Sequence, residues 1–531
     1  MSNIAGIDLG TTFSTLAVLN AIGKPEIVPN CDGERLTPSA IFFDEASQGA
    51  GRKKSHKSGD QDSGVIRVGI EAVNSRHLDA ARSVRWVKRH MGDAKYRKNI
   101  DSKAWGPVEL SSLILKKLKQ DCSTGQGEIT DVVISVPAHF DEVRRKATMD
   151  AGAMAGLNVI GIVNEPVAAA LYYATMRDVR GKVLVYDLGG GTFDVTIMDL
   201  KGHQIEIVCS QGDHALGGVD FDAKILEMLE SGYRDKCKGE LIGSDEDRAK
   251  YEDEAEDVKK TLSRRNVAKK MLYGQSGSQR IEVTREMFEE SVGSLVSRAD
   301  ILVEVALEEA GLKPSEIDTV LLVGGSTRIP LIQERLEKMF GFAPETTVNV
   351  DECVALGAAL HAGLTMVREK PEAVAAGIAN GLKDIDLTDV CNHSYGTICA
   401  PRDEQTGRRV AANRIILEKN TPLPCESTQV FYTQSEGQAA LDVTVTQGED
   451  TAVEFVNKIA THKFDLPGGR PARCPVKVTY SYDVNQRMHC KFEDVESGRA
   501  LDVDLAIDKD GRMSPEAVKE EAEKVKAAKV K

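Results

Sequence analysis

The stretch Val183-Leu-Val-Tyr-Asp187-Leu-Gly-Gly-Gly191-Thr192-Phe-Asp194-Val-Thr-Ile-Met-Asp-Leu200 reads as two apolar strands joined by a glycine turn. Glycines at such a turn bring backbone N–H groups close to an anion, with no Cβ in the way. Asp187 and Asp194 at its lips are misplaced for a bare phosphate, and a divalent cation between carboxylate and phosphate resolves the conflict, Mg²⁺ held through water. The same device stands earlier, at Ile4-Ala-Gly-Ile-Asp8-Leu-Gly10-Thr11-Thr12-Phe-Ser-Thr-Leu-Ala-Val18. One glycine hairpin is a turn; two, each with an acid ending its first strand, suggest two phosphate turns across one cleft.

The elements between them support a duplication. Residues 131–136 read as a strand, 142–155 as a helix, 159–163 as a buried strand, and 167–174 as an alanine-rich helix opened by Asn164-Glu165-Pro166. The pattern restarts after about 180 residues, with Asp8 and Asp187 in equivalent places. Neither turn has the Gly-x-x-x-x-Gly-Lys-Ser/Thr spacing of a P-loop.

A chain of 531 residues expects two or three domains. Its net charge of −14 argues against nucleic acid as the main partner. The ten cysteines are scattered without a Cys-x-x-Cys pair, giving little support to a zinc site, a redox motif or a disulfide framework. With no signal-peptide pattern and no run of about 18 apolar residues, a cytoplasmic protein without a membrane span is expected.

Residues 48–64, polar and glycine-rich, read as a surface loop in which Arg52, Lys53 and Lys54 are solvated. Residues 80–91 read as a helix carrying Lys88 and stopped by Gly92, and 110–121 as another. Leu216-Gly217-Gly218-Val-Asp220-Phe-Asp222 starts a helix. A charged helix over 245–263 places Glu256, Lys259, Lys260 and Ser263 on one face, which periodicity alone reads as solvated. The strand 317–323 ends in Gly324-Gly325-Ser326-Thr327-Arg328, where a flat ligand can lie on backbone and Arg328 can stack on it. The small-residue helix 354–362 packs closely against a neighbour. Beyond residue 383, period-two segments separated by glycine turns predict an antiparallel β-sandwich. Residues 514–531 read as a helix with a serine cap and proline at N1.

With these pieces in order the chain resembles the heat shock protein 70 (DnaK-type) chaperones over nearly its whole length. The resemblance rests on Gly6-Ile-Asp-Leu-Gly-Thr-Thr12, Val136-Pro-Ala-His-Phe140, Val163-Asn-Glu-Pro166, Asp187-Leu-Gly-Gly-Gly-Thr-Phe-Asp-Val195 and Leu322-Val-Gly-Gly-Ser-Thr-Arg-Ile-Pro330. The short C-terminus is most similar to the HscC-like bacterial branch. The resemblance implies an α/β actin-like (ribonuclease-H-like, duplicated) ATPase domain over 1–383, with a lobe boundary near 180. A linker over 384–391, a peptide-binding β-sandwich over 392–509 and a truncated helical lid over 510–531 would follow.

By motif, it implies that Asp8, Asp187 and Asp194 hold hydrated Mg²⁺ and orient water, Asp8 and Asp187 being the water-mediated metal residues. Gly10, Thr11, Thr12, Gly189, Gly190, Gly191 and Thr192 would cradle phosphates. Lys88 would steady γ-phosphate charge and Glu165 would position the attacking water. It also turns the solvated-looking helix into an adenosine site: Glu256, Lys259, Lys260 and Ser263, with Gly217, Gly218, Gly324, Gly325, Ser326, Arg328 and Asp351 around them. ATP or ADP, Mg²⁺ and K⁺ are the implied cofactors. Unfolded peptide segments, a J-domain co-chaperone and a nucleotide exchange factor are the implied partners.

Pro137, Arg145 and Asp389 match the interdomain relay, and Thr397, Ala400, Phe431, Gln434, Leu441 and Val443 the peptide pocket. Departures cluster downstream. Asp386 and Thr388 interrupt the leucine-rich linker, Asn392 replaces its following proline, and His393 replaces an apolar residue. Thr397 and Gln434 make the pocket more polar than usual. Gly161 stands where an arginine often recruits the J-domain, and Val219 replaces an acid.

Overall fold

Both glycine hairpins form, and each seeds a sheet of the same pairing pattern. In the computed structural model, which describes residues 3–45, 64–101, 103–125, 127–176, 179–402, 408–484, 486–504 and 515–531, β1 (Asn3–Leu9) and β2 (Phe13–Leu19) pair antiparallel with Asp8 opposite Thr15. The strand β3 (Pro25–Ile27) extends this meander. A small separate sheet follows, with β4 (Ala40–Phe43) between β5 (Ile66–Val68) and β6 (Ser83–Arg85). The helix α1 (Pro107–Gly125) leads to β7 (Ile129–Val136), parallel to β1. From there α2 (Glu142–Met154) crosses to β8 (Asn158–Asn164), parallel to β7, and α3 (Glu165–Met176) closes the unit.

The second sheet repeats the scheme. The nine-residue strands β9 (Arg180–Leu188) and β10 (Phe193–Lys201) set Asp187 opposite Asp194. Then β11 (Gln204–Asp213) completes a meander, and β12 (Thr319–Val323) lies parallel to β9 as β7 does to β1. Between β11 and β12 run α4 (Gly218–Cys237), α5 (Asp245–Leu262) and α6 (Arg285–Glu309). The small-residue helix α7 (Cys353–Glu369) is wedged against α3 and β1. A Cβ on Gly357 would come 1.7 Å from the Ala168 carbonyl oxygen, so only glycine lets these two helix backbones approach so closely.

The expected linker is not a free tether. Its residues β13 (Asp386–Thr388) pair in parallel with the start of β11, extending the second sheet by one strand. Two four-stranded antiparallel sheets follow: β14 (Tyr395–Cys399), β15 (Ala412–Leu417), β17 (Ala440–Gln447) and β18 (Asn457–Asp465) in one, and β16 (Cys425–Tyr432), β19 (Pro475–Tyr482), β20 (Met488–Asp494) and β21 (Ala500–Asp504) in the other. Strict alternation along β19 and β20 points Val478, Tyr480 and Phe492 inward, against Val445 and Phe464 of the facing sheet.

Two expectations need correction. The helix expected over 80–91 is two short 3₁₀ turns, Ala80–Arg82 and Val87–His90, flanking β6. Val84 pairs with Ile41 of β4, and Trp86 reverses the chain at a φ of 57°, held between the guanidinium groups of Arg76 and Arg85 at 5.8 and 5.0 Å. At the other end, α8 (Pro515–Ala527) stops short of residue 531, with Lys116 donating to the carbonyls of Val525, Lys526 and Ala528 at 2.7–2.8 Å. The chain then straightens, and Val530 bridges Ile66 at the edge of β5. The expected lid helix thus packs against α1 and α2, with Val525 fully buried. Ser514, its expected cap, and all of the loop 48–64 except Gly64 lie outside the described residues. No described helix is long and apolar enough to cross a membrane.

Candidate functional site

The two hairpin turns face one another across a cleft of about 570 Å³. Asp8, Gly10, Thr11 and Thr12 line it from the first sheet, and Asp187, Gly189, Gly190 and Thr192 from the second. Lys88 and Glu165 close its floor. One wall is Glu256, Lys259 and Lys260 of α5 with Ser263, its C-cap; the other is Gly324, Gly325, Ser326, Arg328 and Asp351. Four of the expected residues stand behind this lining. Gly218 donates its N–H to the Gly189 carbonyl at 3.0 Å, and a Cβ on Gly217 would meet the Gly191 nitrogen at 2.5 Å. Asp194 lies beneath the turn. These glycines let one turn stack on the next. The Val219 N–H donates to the Gly190 carbonyl at 2.8 Å, a bond that asks nothing of the side chain where an acid is missing.

The floor is dominated by charge. Glu165, Asp187 and Asp194 are buried and Asp8 is half-buried, and among them Lys88 is paired with Glu165. Burial, then repulsion from Glu165, pushes Asp8 up to about 7 and Asp194 up to about 8, and moves Asp187 in the same direction. For Lys88 burial pulls down, but Glu165 and Asp8 outweigh it and hold the ammonium above its ordinary value. Asp8 accepts from the Ser135 hydroxyl at 3.1 Å; Asp194 accepts the His139 N–H at 3.2 Å with one oxygen, and its other has no hydrogen-bond partner among the described residues. Carboxylates packed this closely are stable only when protonated or neutralised by a bound cation.

The walls are built differently, from satisfied pairs. Burial would raise Glu256, yet Lys260 at 2.8 Å and Arg85 at 3.1 Å bring it down to about 2. Lys259 is anchored by Asp222 at 2.8 Å and the Gly218 carbonyl at 3.0 Å. Arg328 forks onto Asp351 at 3.1 and 2.6 Å, and the Ser326 hydroxyl donates to the Gly189 carbonyl at 2.9 Å. Sequence reasoning missed the cross-cleft fasteners: Arg76 and Arg85 from the small sheet both grip Asp253 of α5, and Arg89 meets Asp220 at 3.1 Å.

A family model described as Hsp70 protein matches residues 4–531, essentially the whole chain. The chain belongs to the Hsp70 family. Members of the Hsp70 family are ATPases that bind ATP and ADP with Mg²⁺, and they bind unfolded peptides and co-chaperones. The family's actin-like ATPase domain and β-sandwich are consistent with the paired sheets and with the two four-stranded sheets described above.

In this Hsp70 protein the sandwich is joined to α2 by buried polar contacts. Arg145, fully enclosed, donates to the Phe140 carbonyl at 3.0 Å, to Asn164 at 2.7 Å and to Gln486. Gln486 in turn donates to Asp389 at 2.5 Å, so the two expected relay residues are linked through a glutamine that the motifs do not mark. Pro137 lies one turn before, its carbonyl accepting from the Phe140 N–H at 3.1 Å. Glu142 accepts both the Tyr395 and the Tyr482 hydroxyls at 2.7 Å. The six expected peptide-pocket residues are more scattered. Thr397 and Val443 are buried in the sandwich core, the Thr397 hydroxyl donating to the Thr444 carbonyl at 3.0 Å. Ala400, Phe431 and Leu441 are half-buried, and Gln434 is exposed.

Proposed function

We propose that the chain is an ATP-dependent molecular chaperone in which slow ATP hydrolysis gates the binding and release of extended peptide segments. Residues 1–383 would be the ATPase domain, 384–391 the linker, 392–509 the peptide-binding sandwich and 510–531 the short lid. The observation that carries the reading is the floor of the cleft, where three buried carboxylates and the half-buried Asp8 surround one lysine beneath two backbone-lined turns. That donor set fits a Mg²⁺–nucleotide. The cation answers the carboxylates and the orphaned Asp194 oxygen, while the N–H groups of two turns answer the phosphates.

Bound near Asp8 and Asp187 through water, Mg²⁺ would supply neutralisation of phosphate charge. Lys88 then stabilises negative charge growing on the transferred group, and Glu165, which holds Lys88 in place, orients water together with Asp194 and Thr192. Thr11, Thr12 and Gly189–Gly191 orient the phosphates; Glu256, Lys259, Lys260, Ser263 and Arg328 take the adenosine end. The strand pairing of β13 with β11 and the Arg145–Gln486–Asp389 bridge support a relay between cleft and sandwich.

A second reading, a nucleotide-gated regulator that binds one dedicated partner, is favoured by the buried, internally satisfied Thr397, a polar residue in the expected peptide pocket. The test is release of a fluorescent peptide library from the full chain on adding Mg²⁺-ATP. Fast release with ATP and slow release with ADP is the expected result. If no library peptide binds while ATP is still hydrolysed, the regulator reading replaces the chaperone.

A further inference from the structure

Cys391 and Cys425, 34 residues apart in sequence, hold their sulfurs 3.5 Å apart. Cys391 is fully buried at the end of the proposed linker, its N–H donating to the Thr421 carbonyl at 2.9 Å and its carbonyl accepting from the Asn420 N–H at 2.7 Å. Cys425 opens β16 and lines a second cavity, of about 680 Å³, between α2 and the sandwich. Cys425 is thus half-buried at the wall of this cavity, and the fully buried Cys391 stands behind it. Their electrostatics differ in the same sense. The contact between the two sulfurs draws the Cys425 thiol below its ordinary value, while that contact and burial push Cys391 up. Cys209 and Cys490, each buried and raised to about 12, have the character of inert core thiols. Cys31 is exposed beside Lys117 at 3.0 Å.

We infer that Cys425 and Cys391 form a hydroperoxide-responsive dithiol, with Cys425 the attacking thiol and Cys391 the resolving one. The Cys425 thiolate attacks a peroxide oxygen and the O–O bond breaks; sulfur is oxidised by two electrons to a sulfenic acid and the departing oxygen leaves as an alcohol or water. The Cys391 sulfur then attacks the sulfenic sulfur, the S–O bond breaks, and water departs with the Cys391 proton. In sum, two thiols and one hydroperoxide give one disulfide, one alcohol (water from hydrogen peroxide) and one water. The sulfurs close from 3.5 Å to about 2.05 Å.

The position of the pair gives the bond its meaning. Cys391 follows Asp389 by two residues, and the Leu423 N–H donates to the Asp389 carbonyl at 2.8 Å. Cys425 pairs across the ladder with Tyr482, which donates to Glu142. The disulfide would therefore tie together the two strands of chain that carry the sandwich's contacts to α2.

The experiment treats the full-length protein with hydrogen peroxide, blocks remaining thiols and maps a non-reduced digest by mass spectrometry. The expected product joins the Cys391 and Cys425 peptides, two hydrogens lighter than their sum, and is reversed by dithiothreitol. Cys391→Ser should leave Cys425 as a sulfenic acid trapped by dimedone, and Cys425→Ser should leave Cys391 reduced. Absence of the cross-linked peptide when Cys31 is already oxidised would overturn the inference, as would pairing of either cysteine with a different one. The wild-type map stands even if a variant fails to fold, and it needs no nucleotide or peptide.

Discussion

The cleft floor and the joint between α2 and the sandwich both bury charge, and they treat it in opposite ways. At the floor, Asp8, Glu165, Asp187 and Asp194 crowd around Lys88, and an Asp194 oxygen has no hydrogen-bond partner among the described residues. At the joint, Glu142 has two tyrosine hydroxyls, Arg145 has Asn164, Gln486 and a carbonyl, and Asp389 has Gln486. An unbalanced cluster is costly alone and becomes favourable when a ligand of opposite charge arrives. A balanced network is content as it stands, and is lost as a unit if its two sides part. One region is built to wait for something, the other to hold or let go.

The strongest way to break this contrast is Lys88→Ala. If Lys88 acts on a reacting phosphate, the variant should still bind Mg²⁺-ATP, because the backbone turns and carboxylates remain. Its single-turnover hydrolysis should fall at least about 100-fold, roughly 3 kcal/mol of barrier. Unchanged hydrolysis would reduce the Lys88–Glu165 pair to a structural ion pair, no different in kind from those of the joint.

The two regions also differed in how far the sequence disclosed them. The floor's acids lie within glycine hairpins, so Asp8 and Asp187 announce themselves through local pattern and repetition. Lys88 was legible as a residue but not in its setting. The run 80–91 looks helical because nothing nearby shows that Val84 pairs with Ile41, far back in the chain. The joint is invisible for the same reason, since Glu142 meets Tyr395 across 253 residues and Tyr482 across 340. Gln486, which bridges Arg145 and Asp389, sits at a φ of 59° on a turn with no motif around it. The C-terminal chain leaves its helix at Ala527 because the edge of β5 offers Val530 a partner, a competition that helix propensity alone does not register.

A third treatment of burial, neutrality, sharpens the contrast at about the same energy. His361 of α7 is buried, and its Nδ1 has no hydrogen-bond partner among the described residues. Burial, aided by Arg368, lowers it to about 4. The unfolded chain binds its proton near pH 6.5, so the stability that depends on a neutral imidazole is complete above that pH and is lost as pH falls toward 4. The wild type should lose about 3 kcal/mol more than His361→Gln between pH 7 and pH 4. Denaturant midpoints across that range measure the difference, and parallel curves would mean that the histidine is partnered after all.

The smallest effect tests the joint most directly. Glu142→Gln preserves shape and leaves an oxygen for both tyrosines, but it removes the charge that strengthens those hydrogen bonds and that faces Arg145. A charge-assisted bond is about twice as strong as a neutral one, so the change should weaken the joint by about 1–1.5 kcal/mol. The strand β13 is the place to read it, because its pairing with β11 spans only three residues and the strand lies between the cleft sheet and the sandwich in sequence. The Asp386 N–H donates to the His203 carbonyl at 3.0 Å and is exchange-protected while the strand is paired. Hydrogen exchange over residues 386–388 should quicken about tenfold, while exchange in β9 and β10 stays unchanged. A general fall in protection would instead make Glu142 an ordinary core contact. Selective loss at β13 would show that the linker strand and the buried polar network open together, which is what a joint, unlike the cleft floor, is built to do.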